Sequence, residues 1–379
     1  MRLNNVRVLT PTGLSGPQSA EIEVADDTTE RDATGLILSP GLVDLHCHLR
    51  DPGFPASETL ESGALSAAAG GFTQVLAMAN SNPVTDRPAL LTGLLRRAQS
   101  LPIRVGFVGA LTENLAGREL TDAGGLKTAG ALALSDDGRH AMERETLRRG
   151  LEAAAGASLP VLVHAVKESR GADPAAESEG VEEALEVLQE MPHARLHLQH
   201  ISTRRSVDLL RAAKSAGLQV TGEVTPHHLA LTASEVEGNN ANVSPPLRTA
   251  DDRNAVVEGL IDGVVDAIAT DHAPHTAAAK AAGANGFHGF ETAAAVVLGL
   301  HLPFGVVYRA LVESPRQILG LAAGNDWTLI DPMEEWLVDP LNFKSRGHNT
   351  PLAGRRLRGR VLLTVCRGLI VHRAEVPVG

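Results

Sequence analysis

Cysteine is almost absent from this chain. Cys47 and Cys366 are the only two in 379 residues. They lie far apart, which argues against a disulfide framework and for a cytoplasmic protein. Aromatic residues make up only 3% of the chain, and no block of Lys and Arg occurs. Nucleic-acid binders need a basic footprint and often stacking rings, so nucleic acid is not an expected partner. Acidic residues outnumber basic ones by 45 to 34, a net charge of −11. No apolar run reaches the roughly 18 residues that a spanning helix needs, so no membrane is expected either. The opening Met1-Arg2-Leu3-Asn4-Asn5 lacks the charged-then-apolar order of a secretory signal. Lysine is scarce: Lys127, Lys167, Lys214, Lys280 and Lys344 are the whole supply. Internal repeats and low-complexity tracts are missing too.

What is present reads as a soluble α/β protein, with 43% hydrophobic and 21% charged residues. Residues 1–39 form short strand patterns punctuated by Pro11, Gly13 and Gly16, without helical period. From residue 40 the pattern becomes strand, loop, helix, repeated. Strands are predicted near 42–45, 72–79, 103–110, 130–134, 161–164, 195–200, 219–224 and 266–271. Helices are predicted over 57–70, 88–98, 143–155, 181–189 and 205–216. Such alternation over about 250 residues fits a parallel (β/α)8 barrel. A doubly wound open sheet is the alternative, weakened because no GxGxxG follows the first strand. Residues 325–379 return to short strands. The expected organisation is a barrel over 40–324 and one small discontinuous β-domain from 1–39 plus 325–379. The Ala- and Gly-rich stretch Thr276 to Gly289 is open to two readings, a mobile lid or a plain surface loop.

The chain is organised around Pro40-Gly41-Leu42-Val43-Asp44-Leu45-His46-Cys47-His48. His46 and His48 are two apart, so on a strand they share a face. By themselves they are either half of a metal site or two hydrogen-bonded core histidines. Cys47 points the other way and reads as a small buried hydrophobe. In such a barrel, function collects where the strands end. Those ends carry His46 and His48, Asn80, Asp136-Asp137, His164, His200, and Asp271-His272 followed by His275. A single histidine at a strand end has ordinary explanations. Their convergence on one rim predicts a metal centre of imidazole and carboxylate without thiolate. That set suits zinc, with manganese or cobalt as substitutes, and the number of donors suggests two ions sharing a bridging group.

His46-Cys47-His48-Leu49-Arg50-Asp51-Pro52-Gly53 resembles the opening motif of the dihydroorotases, in the amidohydrolase superfamily. So do Asn80-Ser81-Asn82-Pro83, Ser135-Asp136-Asp137-Gly138, Gln199-His200-Ile201-Ser202-Thr203, Glu223-Val224-Thr225-Pro226-His227-His228 and Ala269-Thr270-Asp271-His272-Ala273-Pro274-His275. The resemblance runs in order over roughly 35–375 and is closest to the bacterial long-type members. It implies a distorted (β/α)8 TIM-like barrel with a small β-sandwich domain from both termini. It also implies reversible, zinc-dependent cyclisation of N-carbamoyl-L-aspartate to L-dihydroorotate in pyrimidine synthesis. By the same resemblance, His46 and His48 ligate one Zn²⁺ beside Asp271, and His164 and His200 ligate a second. Asp137 stands where many relatives place a bridging carboxylated lysine, and one or two ions per subunit remain open. Asp271 is implied as proton shuttle for a metal-held hydroxide, with a ligand-only role as the alternative. Arg50, Asn80 and His275 are implied to bind the substrate carboxylate, against a surface ion pair or loop hydrogen bonding.

Ser244 of Val243-Ser244-Pro245-Pro246 stands where the family more often has Asn, at a position that would contact the ring. Ala79 stands where Pro is commoner. A homodimer, and association with aspartate transcarbamoylase, belong to the same set of implied expectations. The competing readings are a hydantoinase- or allantoinase-like amidohydrolase, which would usually carry the missing lysine, and a non-catalytic homologue partnering aspartate transcarbamoylase.

Overall fold

A computed structural model describes residues 1–25, 27–138, 143–167 and 170–374. Its strands are β1 (Arg2–Thr10), β2 (Gly13–Leu14), β3 (Gln18–Glu21), β4 (Glu30–Asp32), β5 (Ile37–Pro40), β6 (Leu42–Cys47), β7 (Phe72–Ala77), β8 (Arg104–Ala110), β9 (Ala133–Ser135), β10 (Val161–Val163), β11 (Leu196–Leu198), β12 (Val220–Val224), β13 (Ala267–Ile268), β14 (Trp327–Leu337), β15 (Arg356–Cys366) and β16 (Leu369–Arg373).

Strands β6 to β13 pair in sequence order, every neighbour parallel, in one eight-stranded sheet. The ends of that sheet meet through a parallel bridge between Cys47 and His272, with His48 N–H donating to the His272 carbonyl at 2.7 Å. Where backbone pairing is sparse, a side chain substitutes. The buried Asp44 carboxylate accepts from Thr270 N–H and Oγ1, both at 2.7 Å. The barrel is therefore nearly closed. Its interior holds Leu45, Leu76, Val108, Ala133, Leu162 and Ala267, with Leu319 from the helix Ser314–Leu319 packed against them. A (β/α)8 interior is a packed core, so chemistry is confined to its mouth.

The outer helices follow local signals. Thr59 and Ser62 form a reciprocal capping box that starts the helix Leu60–Ala69. It stops at Gly70, where a Cβ would come within 2.3 Å of the Phe290 carbonyl oxygen. The sequence pattern missed the helix Phe290–Gly299, which is buried nearly all round and offers no polar face to give it a period. It also placed the fourth strand early. Residues 123–129 are helical, Lys127 lies exposed on that helix, and β9 begins only at Ala133.

Both termini contribute to a second eight-stranded, mainly antiparallel sheet, with order β16-β15-β14-β5-β1-β2 and β3 and β4 pairing with β1. Leu3, Val6, Ile22, Leu38, Leu363 and Val365 form its separate core.

Candidate metal centre

His46 lies within β6, but two other barrel strands stop short of the polar residues that follow them. β11 ends at Leu198, and His200 follows with φ of 34°; β13 ends at Ile268, and Asp271 follows with φ of 47°. Left-handed backbone at non-glycine residues costs on the order of 1–3 kcal/mol and concentrates at functional sites.

Around this mouth, His46, His48, Asp137, His164, His200 and Asp271 converge, all buried. Their donor atoms form two groups, His46–His48–Asp137 and Asp137–His164–His200, each with its atoms within 4.8 Å of one another. Asp137 divides its carboxylate between them. Its Oδ2 lies 3.4 Å from the Nε2 atoms of both His46 and His48. Its Oδ1 lies 3.4 Å from His164 Nδ1 and 3.9 Å from His200 Nε2. Asp271 Oδ1 joins the first group, 3.0 Å from His48 Nε2 and 3.5 Å from His46 Nε2. Ligand bonds of about 2.0–2.1 Å at tetrahedral angles would set donors roughly 3.3–3.4 Å apart, so this spacing suits a transition-metal ion.

A surrounding set of contacts orients the rings. Glu223 Oε1 lies 2.7 Å from His46 Nδ1, and Asn80 Oδ1 lies 2.9 Å from His48 Nδ1. With each Nδ1–H donated, Nε2 is the ring nitrogen that faces the carboxylates, where an ion would take the place of any proton. His164 Nδ1 and His200 Nε2 are 2.9 Å apart, while His164 Nε2 is buried without a hydrogen-bond partner.

The electrostatics also call for cations. Asp137, Glu223 and Asp271 are buried together, and their partners among the described residues include no Lys or Arg. Burial works to raise the Asp137 pKa, but His46, His164 and His48 outweigh it and hold the carboxyl well below its usual range. Asp271 is held low against burial by His46 and His48. Burial, aided by His164 and His46, pushes His200 down to about 3, so it is a neutral donor. Burial acts to lower His46 as well, yet Asp137, Asp271 and Glu223 prevail and raise it well above the ordinary histidine value. A proton on His46 thus partly offsets the carboxylates, in the position where an ion would do so more completely.

Beside this centre stands Arg50, half-buried and with φ of 58°. Its Nε donates to the Pro274 carbonyl at 3.3 Å, and its Nη2 lies 3.2 Å from His275 Nε2. The same His275 nitrogen lies 2.7 Å from the Asn285 carbonyl oxygen. Burial and the neighbouring Arg50 push His275 down to about 4, so its ring is neutral. No carboxylate among the described residues forms an ion pair with Arg50. Asn80 has its carbonyl committed to His48, leaving its amide as a donor. Ser244 is half-buried beside the Pro245 carbonyl that His228 Nε2 contacts at 3.0 Å, and no hydrogen bond among the described residues ties it to the cluster. Cys47 is wholly buried with its Sγ 3.3 Å from the Leu76 carbonyl, and its thiol is pushed up by burial. Within Thr276–Gly289, Ala277–Ala281 is helical, and Lys280 Nζ donates to the carbonyls of Asn242, Ala284 and Gly286 at 2.7–2.9 Å. Lys280 thereby links the stretch to Asn242 outside it.

Residues 35–179 match the family model described as dihydro-orotase-like. The chain is 42% identical to a dihydroorotase of Anaeromyxobacter dehalogenans strain 2CP-C, covering 93% of this chain and 90% of that one. It is 39% identical to a dihydroorotase of Thermus aquaticus, covering 98% and 99%. The chain belongs to the dihydroorotase family. Among solved structures its fold is similar to an L-hydantoinase (dihydropyrimidinase) from Arthrobacter aurescens, with a TM-score of 0.87 and 24% identity over 100% of this chain and 97% of that one. At that identity the likeness speaks for the shared barrel alone.

Sequence reasoning assigned no role to Glu223, although it lies in one of the motifs that resemble dihydroorotases. A carboxylate inside a strand whose neighbours are buried needs partners, and that was its only visible signal. The partners, His46 and His197, lie on other strands.

Proposed function

We propose that this protein is a dihydroorotase that interconverts N-carbamoyl-L-aspartate and L-dihydroorotate, a step of pyrimidine synthesis, with zinc as its metal. His46, His48 and Asp137 would hold one ion, with Asp271 beside it, and Asp137, His164 and His200 would hold a second. Bound there, divalent zinc would polarise the ring carbonyl and make water a nucleophile near neutral pH. The chain's residues do the rest. Asp271, kept ionised by its histidine neighbours, accepts a proton from the attacking water and returns it to the departing ring nitrogen. In the closing direction the same carboxylate takes the proton from the attacking carbamoyl nitrogen and delivers it to the oxygen that leaves as water. Glu223 and Asn80 keep His46 and His48 in the tautomer that presents Nε2.

The observation that carries the substrate assignment is Arg50. A half-buried guanidinium close to the centre, with no carboxylate partner among the described residues, suits the carboxylate of dihydroorotate. The Asn80 amide and His275 are the further donors proposed for it. A hydantoin ring carries no such group. A non-catalytic role is disfavoured because all six proposed donors are present and converge. No helix among the described residues is long and apolar enough to cross a membrane. A cytoplasmic location belongs to the same proposal, since Cys47 and Cys366 are both free thiols.

The test is to purify the protein, count its metal, and follow ring opening of dihydroorotate and closure of carbamoyl aspartate, with hydantoin and allantoin as controls. Turnover of dihydroorotate that is lost on chelation and restored by zinc is expected. Turnover of a control without dihydroorotate would overturn the substrate assignment.

A further inference from the structure

Directly behind Asp271 lies a second buried polar cluster that the proposed mechanism does not use. Glu58, His272, His288, Ser66 and Ser345 are each at most 2% exposed. Glu58 is its hub. Its Oε2 lies 3.2 Å from His272 Nε2 and accepts from Ser345 Oγ at 2.5 Å. Its Oε1 accepts from Arg346 N–H at 3.2 Å and from the Ser62 hydroxyl. On the other side of the His272 ring, Gly289 N–H donates to Nδ1 at 3.2 Å. That leaves Nε2 as the protonated nitrogen, donating to Glu58. Phe290 stacks on the ring at 4.0 Å and 15°. His272 is therefore held at both nitrogens and on one face.

Two arms leave this hub. One runs through His272 to its own backbone. There its carbonyl receives His48 N–H at 2.7 Å, and the preceding residue is Asp271 in left-handed conformation. The other runs through Ser345 and Arg346 to the segment ending at Asn349. Asn349 Oδ1 accepts from His275 N–H at 2.9 Å, and its amide donates to the Gly286 carbonyl at 3.0 Å. The segment lies flush against the His275 turn, since a Cβ on Gly347 would come within 2.3 Å of Pro274 Cβ and 2.9 Å of His275 N. His275 is the neighbour of Arg50.

We propose that Glu58 is a positioning residue that couples two parts of the site. Through His272 it holds Asp271 and the backbone of His48; through Ser345–Asn349 it holds His275 against Arg50. The proton-transfer group and the carboxylate-binding group are thereby registered to one buried carboxylate on a third element. A buried carboxylate accepting several hydrogen bonds resists displacement, because leaving any donor unmet costs its full desolvation. The proposal rests on the dihydroorotase reading for the roles of Asp271 and Arg50.

The test compares Glu58→Gln and Ser345→Ala with the unaltered protein. The first substitution places an amide where the carboxylate accepted, so it satisfies one arm and opposes the other. Hydrogen exchange on metal-free protein, read over peptides covering 272–289 and 343–350, needs no reaction. Both peptides should exchange faster in E58Q, and the His275 turn should exchange faster in S345A. In zinc-loaded protein, E58Q should retain its metal but lose about 10–100-fold in kcat, the range expected for outer partners of a site. S345A, which leaves the His272 arm intact, should raise KM several-fold with kcat changed less than about twofold. Unchanged exchange in both variants, loss of metal in step with kcat in E58Q, or a fall in kcat without a rise in KM in S345A would overturn the proposal. If the unaltered protein fails to open dihydroorotate, the reaction assignment falls, while the exchange result still decides whether Glu58 ties the two segments together.

Discussion

Replacing Glu223 by Gln is the sharpest test of the electrostatic argument. The side chain is fully buried and contacts His46 Nδ1 at 2.7 Å and His197 Nε2 at 3.1 Å. Gln has nearly the same shape, and His197 can change tautomer because its other nitrogen faces a hydroxyl, Thr221 Oγ1, at 2.8 Å. What the substitution removes is charge. Burial alone would raise the Glu223 pKa, but His46 and His197 bring it from 4.5 down to about 2. At 1.36 kcal/mol per unit, that preference for the ionised form corresponds to ~3 kcal/mol of stability in the metal-free protein. A depressed carboxyl pKa stabilises the fold above the unfolded value, near 4.5, and loses that contribution as pH falls toward 2. The raised His46 pKa acts in the opposite sense, with its contribution fully present below the ordinary value of 6.5 and lost as pH rises through the folded one. The pair therefore matters most between about pH 4.5 and 6.5. Denaturant unfolding of metal-free protein at several pH values should show E223Q least stable relative to the original in that window, with the gap closing at lower pH. Chelator competition should show zinc affinity reduced about 10–100-fold, because the acceptor on His46 Nδ1 becomes neutral and no longer raises the basicity of the ligating nitrogen. Equal stability at pH 6, or a gap that widens on acidification, would refute the reasoning.

Further outcomes follow from the same geometry. Asp137→Ala withdraws a donor from both ligand groups and should lower occupancy at both, whereas His164→Ala should spare the His46–His48 site; metal analysis after gel filtration would show identical losses if the carboxylate is not shared. Zinc affinity should rise with pH, by about tenfold per unit for each proton displaced, while the free protein keeps His46 protonated; a flat dependence from pH 5 to 8 would show that the ring is already neutral. Arg50→Met should chiefly raise KM for dihydroorotate, and Asp271→Ala should lower kcat by about 10²–10⁴-fold. Near-normal turnover in the Asp271 variant would remove it from the mechanism.

Much of the architecture was legible in the linear chain because a barrel repeats one local unit. The apolar runs around Leu42, Phe72 and Val161 and the turn residues between them report strands and crossings through short-range physics alone. The alternation of Leu45, His46 and Cys47 already placed the imidazole of His46 opposite the thiol of Cys47. Residue type at each strand end marked the rim, and resemblance supplied the family. Other features depend on residues far apart in the chain. Asp44 receives Thr270, Glu223 orients His46, and Glu58 meets both His272 and Ser345. A lone acidic residue in an apolar strand looks the same whether its partner lies across the barrel or nowhere, since nothing local encodes the partner's position. The left-handed turns at His200 and Asp271, the sharing of Asp137 between two histidine pairs, and the orientation of each ring nitrogen were decided only when the eight strands came round to meet their own beginning.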